Sequence, residues 1–279
     1  PRPNSPPSVK RNTGRTAPST SWPMRRYSPL LSEAVWRAAS TSTRRSVWYA
    51  LAVVLAAGAG KRMHSDVQKQ YLLLRDRPII YYALKTFQDS FVDEIVLVVG
   101  QGEIEYCRKE IVEKYHFSKV KKIAEGGRER YHSVANGLKE VDGEGYVFIH
   151  DGARPFLTEE ILRRSHEAVK EYHACVVGMP VKDTIKIVDE DRFAKATPNR
   201  ETVWQVQTPQ VFTIALAKKA YDSLLIKEEE LLRQGIHITD DAMVVETLLE
   251  HPVKLVEGSY QNIKITTPED LNIARSFLI

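Results

Sequence analysis

The segment Leu55-Ala56-Ala57-Gly58-Ala59-Gly60-Lys61-Arg62-Met63 sets two glycines beside two cations, directly after an apolar run. Glycine lets a backbone come close to a ligand and aim its N–H groups at phosphate oxygens. A dinucleotide fingerprint needs a third glycine where Met63 stands, and a P-loop needs four residues between its glycines and a Ser or Thr after the lysine. Neither pattern is met. What remains is a glycine loop, Ala56, Ala57, Gly58 and Gly60, carrying Lys61 and Arg62 and followed by Lys69 in Gln68-Lys69-Gln70. Three cations near one loop suit a triphosphate with about four negative charges. The competing reading is a tight turn with solvated basic side chains.

Two further places have the composition of ligand-facing turns. Asp151 and Arg154, in His150-Asp151-Gly152-Ala153-Arg154-Pro155, follow a buried-strand pattern. A carboxylate at such a strand end can accept from substrate hydroxyls or hold a metal's water shell. Its plainer alternative is an Asp that caps the N–H groups of its own turn. His150 reads as structural. Gly126, Gly127 and Ser133 form another strand-to-helix junction, where Ser133 could equally be a helix cap.

The elements that must position these residues are legible in the hydrophobic pattern. Short, mostly apolar runs at 51–55, 95–99, 120–124, 146–149 and 174–178 read as strands buried on both faces. Helical spacing lies between them, near 79–88, 103–115, 130–140 and 158–172, with Thr158 a cap ahead of Glu159 and Glu160. This alternation predicts a doubly wound, mostly parallel α/β sheet of Rossmann-like type. In such a sheet the ligand sits beyond the carboxyl ends of the strands, where the glycine loop falls. Residues 181–207 then read as a projecting β-arm with strands near 185–188 and 202–206. Helices follow near 213–226 and 239–250, a last strand at 253–257 continuing to 262–265, and a closing helix opened by Thr267-Pro268-Glu269-Asp270.

Composition bounds the class. With 43% hydrophobic and 27% charged residues, the chain reads as globular. No apolar run is long enough for a membrane span. Residues 1–48 carry nine Lys and Arg against one acid, Glu33, whereas residues 49–279 carry 31 basic and 35 acidic residues. The basic excess belongs to the N-terminal stretch, so no nucleic-acid partner is implied for the body. That stretch, rich in Pro, Ser and Arg, is expected to be a disordered extension. It is either upstream sequence ahead of Met24 or an organelle transit peptide, which makes the expected location the cytoplasm or, alternatively, a plastid. Cys107 and Cys175 lack metal-ligand spacing.

The string LAAGAGKRM followed by QKQY resembles the signature of the sugar-phosphate nucleotidyltransferases. Later segments narrow the resemblance: GGRERYHSV (126–134), HDGARPF (150–156), VKDTIK (181–186), VWQVQTPQVF (203–212), ITDDA (238–242) and EGSYQNIKITTPEDL (257–271). In this order they resemble the 2-C-methyl-D-erythritol 4-phosphate cytidylyltransferases of non-mevalonate isoprenoid synthesis, over residues 50–279. The resemblance implies transfer of CMP from CTP to a small polyol phosphate. LAAG in the first loop, and Ser133, favour methylerythritol phosphate over a relative such as ribitol 5-phosphate. A nucleotide-binding module without turnover is the reading from another class, and it would be favoured if Arg62, Lys69 or Lys264 were missing; none is.

Residue by residue, the resemblance makes Arg62 and Lys69 the cations that stabilise the transition state, and makes 126–133 a cytosine-reading loop with Ser133. Arg128 and His132 stand where many relatives carry other residues. Arg200 and Lys264 match positions that hold the acceptor phosphate, with Thr208, Thr239 and Asp240 in the same pocket. The arm is expected to cross a two-fold axis, so that Arg200 completes a neighbour's site in a homodimer. Mg²⁺ is the implied cofactor, held mainly by CTP phosphates rather than by dedicated protein ligands.

Overall fold

In the computed structural model the described residues are 48–58, 60, 63 and 68–278; Lys61 and Arg62 lie outside them, as do residues 1–47. The chain enters as β1 (Tyr49–Ala56), passes the glycine loop, and makes a 3₁₀ turn at Lys69–Tyr71. A small hairpin, β2 (Leu73–Leu74) and β3 (Arg77–Pro78), leads to α1 (Ile79–Asp89) and β4 (Glu94–Val99). Then come α2 (Ile104–Cys107), continued by a π-helical stretch Arg108–Glu113, β5 (Val120–Glu125), α3 (Arg130–Lys139) and β6 (Gly145–Asp151). α4 (Glu159–Tyr172) and β7 (Ala174–Pro180) precede the arm, β8 (Ile187–Val188) and β9 (Ala194–Ala196). β10 (Trp204–Thr213), α5 (Ile214–Arg233), α6 (Asp241–Leu249), β11 (Lys254–Glu257) and α7 (Pro268–Ser276) complete the chain.

The main sheet has seven strands in the order β11-β7-β10-β6-β1-β4-β5. β10 runs antiparallel to both neighbours, and every other pairing in the sheet is parallel. Helices cover both faces, so β1, β4, β6 and β7 are apolar and buried along nearly their whole length. β5, expected to be buried on both faces, has no fully buried residue, because it is an edge strand that carries Lys121 and Lys122. Ala52 and Val54 of β1 pack with Ile80, Leu84 and Phe87 of α1 and Ile161 of α4. Leu51 and Val53 face Val134 and Leu138 of α3 and Ala217 and Leu224 of α5. A smaller core of Met63, Leu74, Ile79, Ile265 and Ala274 binds the segment ahead of α7 to the β2–β3 hairpin. The two expected caps are present: Thr158 Oγ1 accepts from the Ile161 N–H at 3.3 Å, and Thr267 and Asp270 cap each other ahead of Pro268.

Three further expectations are corrected. The second strand of the arm does not lie near 202–206: the hairpin is 187–196, and the chain from Trp204 already belongs to the main sheet. The expected helix from 213 begins after that strand and runs to Arg233. β10 was hidden by Pro209, which has no N–H for a ladder; the register slips between Val206 and Gln210, and pairing resumes beyond it. Residues 262–265 form no strand. They are an extended strap, tied down where the Ile265 N–H donates to the Ala153 carbonyl at 2.9 Å.

Candidate active site

The carboxyl ends of β1, β4, β5 and β6 open on one cleft of about 760 Å³. Its walls are the glycine loop (Ala56, Ala57, Gly58), the Lys69–Gln70 turn, Gly100 and Gln101 after β4, the loop Glu125–Arg130, and Asp151 with Ala153 after β6; Ser133 and Lys264 complete them. Gly60 has φ 62°, and a Cβ there would come within 3.3 Å of the Lys69 backbone nitrogen, so glycine is what lets the loop close against the lysine turn. Gly126 is held more tightly still. A Cβ on it would fall 2.3 Å from the Ala57 Cβ and 2.8 Å from Ser133 Oγ.

Sequence neighbours fix Lys69 in place. Gln70 donates to the Ala56 carbonyl and Gln68 to Glu103. Tyr71 Oη donates to Glu103 Oε2 at 2.9 Å, and the same carboxylate accepts from the Gly100 N–H at 3.0 Å. Glu103 thus buckles the lysine turn to the loop after β4.

Asp151 is the electrostatic centre. Lys264 Nζ lies 2.8 Å from its Oδ2, Arg130 Nε 3.3 Å from its Oδ1, and Arg154 Nε 3.8 Å from Oδ2. Burial opposes ionisation of this carboxyl, but Arg130, Lys264 and Arg154 outweigh it and hold Asp151 well below the usual carboxylate range. Arg130 also forks onto Asp241 at 2.6 and 2.8 Å, and the Tyr221 hydroxyl donates to the same fully buried carboxylate. Behind Asp151 runs a relay of neutral groups. The Asp151 N–H donates to Thr208 Oγ1 at 3.1 Å, that hydroxyl meets His150 Nδ1 at 3.0 Å, and His150 Nε2 faces the Arg154 carbonyl at 3.3 Å. With one ring nitrogen on a carbonyl, the other accepts from Thr208, and burial pushes the imidazole pKa down to about 4.

The structure therefore brings together Ala56, Ala57, Gly58, Lys69, Gly126, Gly127, Ser133, Asp151 and Lys264. Arg154 sits beside them, with Nη1 donating to the Asn262 carbonyl at 2.8 Å. Thr208 backs Asp151 rather than lining the cleft. Asp240 caps α6, accepting from the Met243 N–H at 2.9 Å, and Thr239 is exposed beside it. Arg200, in the 3₁₀ turn before β10, is exposed and donates to the Lys182 carbonyl at 3.4 Å. Arg130, Glu103 and Asp241 were not singled out from sequence. The available signal for Arg130 was a cation in the first turn of a helix, the wrong end of the dipole unless a carboxylate meets it. Among the described residues, no group of three or more His, Cys, Asp or Glu could hold a metal ion.

A mostly parallel α/β sheet with a glycine loop, a second glycine junction and cations converging on its carboxyl edge makes a cleft suited to phosphate-bearing ligands, and the family it matches is one of nucleotidyltransferases. The family model IspD, 2-C-methyl-D-erythritol 4-phosphate cytidylyltransferase, matches residues 50–279, and the chain belongs to that family. The cytidylyltransferase of that name from Lachnospira eligens is 51% identical over 228 residues, 81% of this chain and 98% of the relative. The one from Lachnoclostridium phytofermentans is 49% identical over 227 residues, 81% of this chain and 95% of the relative. The crystal structure of 4-diphosphocytidyl-2C-methyl-D-erythritol synthase from Anaerococcus prevotii superposes with a TM-score of 0.70 at 34% identity, covering 83% of this chain and 96% of that one.

Proposed function

We propose that this cleft joins a phosphate oxygen of 2-C-methyl-D-erythritol 4-phosphate to the α-phosphorus of CTP. The new P–O bond forms as the bond from the α-phosphorus to the β-phosphate oxygen breaks, and pyrophosphate leaves. The observation that carries this reading is the convergence of Lys69 and Lys264, from opposite ends of the chain, on one cleft beside the glycine loop. Both reactants are anions, so the protein's work is to bring them together and to stabilise the charge of the five-coordinate transition state.

In this reading the triphosphate lies on the N–H groups of the glycine loop, with Arg62 and Lys69 at the α-phosphate. Cytosine enters the 126–133 junction, where backbone groups and Ser133 read its edge. Asp151 accepts from sugar hydroxyls and keeps Lys264 extended towards the acceptor phosphate. Two carboxylates, Asp151 and Asp241, face three cations, Arg130, Arg154 and Lys264. The uncompensated positive charge favours a bound anion.

A carboxylate already engaged by cations is a poor sole ligand for a metal, which fits Mg²⁺ arriving on the CTP phosphates with Asp151 meeting its water shell. When bound, that ion neutralises phosphate charge and favours departure of pyrophosphate. Arg200 completes the site of a second copy in this proposal. Ile187, Val188 and Phe193 of the arm stand 53%, 49% and 72% exposed, apolar surface that a dimer partner would cover.

The test is a pyrophosphate-release assay with Mg²⁺ and CTP. Turnover with methylerythritol phosphate and not with ribitol 5-phosphate supports the reading; the reverse preference overturns it.

A further inference from the structure

We infer that Glu228, on α5 and outside the cleft's own elements, is a positioning residue that sets nucleotide-base selectivity by latching the 126–133 loop. The inference rests on that loop being the base site. Three side chains of the loop converge on this one carboxylate. Arg128 Nη2 lies 3.1 Å from its Oε1, the Tyr131 hydroxyl donates to the same oxygen at 2.8 Å, and His132 Nε2 lies 3.0 Å from Oε2.

The histidine's orientation is determined. The Glu129 N–H donates to His132 Nδ1 at 3.3 Å, so in the neutral ring the proton sits on Nε2 and points at Glu228. The carboxylate is only 17% exposed, whereas the Arg128 side chain is 75% exposed, so the latch is built around a sheltered acceptor and does not float on the surface. Hydrogen bonding from Tyr131 and His132 holds Glu228 below the ordinary carboxylate range, keeping it ionised near neutrality.

The chain of contact from Glu228 to the base site is short. His132 is bonded in sequence to Ser133, whose Oγ accepts from the Gly127 N–H at 3.1 Å and lies 3.3 Å from the Glu129 carbonyl. A shift of His132 or Tyr131 therefore moves Ser133 and the two glycines directly. Cytosine offers an N4 amino donor where uracil offers an O4 acceptor, and a backbone-built reader distinguishes them only while its acceptors stay in register. Glu228 does not line the cleft and, among the described residues, touches neither the glycine loop nor Lys264, so in this proposal its effect appears in base recognition.

The experiment compares Glu228→Ala and Glu228→Gln with Ser133→Ala, measuring kcat and KM for CTP and UTP, KM for the acceptor, and thermal midpoints. E228A should raise KM for CTP about tenfold and cut the CTP-over-UTP preference by a similar factor, with kcat at saturation within about threefold and the acceptor KM within about twofold. E228Q keeps one acceptor oxygen for Tyr131 and should lose about threefold. An unchanged CTP-over-UTP ratio in E228A, or an acceptor KM that rises in step with that for CTP, overturns the inference while leaving the base site standing, provided S133A lowers the ratio. If S133A leaves the ratio untouched, the 126–133 loop is not the base reader, and the inference falls with it.

Discussion

Lys264, on the strap before the last helix, and Asp151, at the end of β6, form an ion pair of 2.8 Å across the cleft floor. The strap reaches there because Ile265 is buried in the small third core and bonded to Ala153, so the lysine has one direction left to take. Asp151→Asn keeps the shape and removes the charge that holds Lys264 in place. It should lower kcat about a hundredfold while CTP affinity stays within a few-fold, because an extra net positive charge does not repel the nucleotide. Steady-state rates with isothermal titration of CTP decide it; a pure affinity loss contradicts the assignment.

Lys69 occupies the turn that Gln68, Gln70 and Tyr71 fasten to both sides of the cleft. Lys69→Ala should depress kcat about a thousandfold with CTP binding nearly kept, as for a contact made mostly in the transition state. If only KM moves, Lys69 is a ground-state phosphate contact and its role has been misread.

What was legible in the sequence was whatever repeats or punctuates: five parallel strands, four of them buried, the helices between them, the caps at Thr158 and Thr267, and the glycine loop. Periodicity failed where tertiary context overrode it. β10 crosses the sheet interior although Pro209 interrupts its run, because the slipped register lets the ladder skip that residue. Lys264 sits in no regular element, since the strap is held by scattered contacts, the Ile265 N–H on Ala153, the buried Asn262 on Thr208 and Arg154, and the buried Ile265, which leave no period to detect. Arg130 offered only its misplaced charge at a helix start as a signal. Its partners, Asp151 and Asp241, come from distant segments, and only the fold makes them neighbours.

His150 supplies a pH dependence with a defined sign. Its folded pKa, about 4, is depressed by burial from the usual 6.5. Between those values the unfolded chain binds a proton that the folded one does not, so stability is full above about pH 6.5 and falls as pH drops towards 4, by about 3 kcal/mol over that interval. Urea midpoints recorded from pH 7.5 to 4.5 should show this slope in the native sequence, and His150→Gln should make it shallower, leaving the share contributed by His166 and His173, which burial also depresses. A flat native profile would mean His150 is not sealed behind Thr208 and Asp151 as described.

The arm yields the last test, because Arg200 and Lys264 are assigned to one acceptor phosphate yet only Lys264 lines the cleft. If Arg200 serves the neighbouring subunit, R200A and K264A are lesions of the same site carried on different chains. Each homodimer should turn over slowly, with a raised KM for the acceptor. Co-expressed with separate tags, the two variants pair at random, and each mixed dimer then holds one site with both residues intact and one with neither. Activity should return to about a quarter of the unsubstituted level, and tandem-tag purification of mixed dimers should raise it to about half. Were Arg200 to act within its own subunit, every site in every mixture would lack one cation, and mixing would restore nothing.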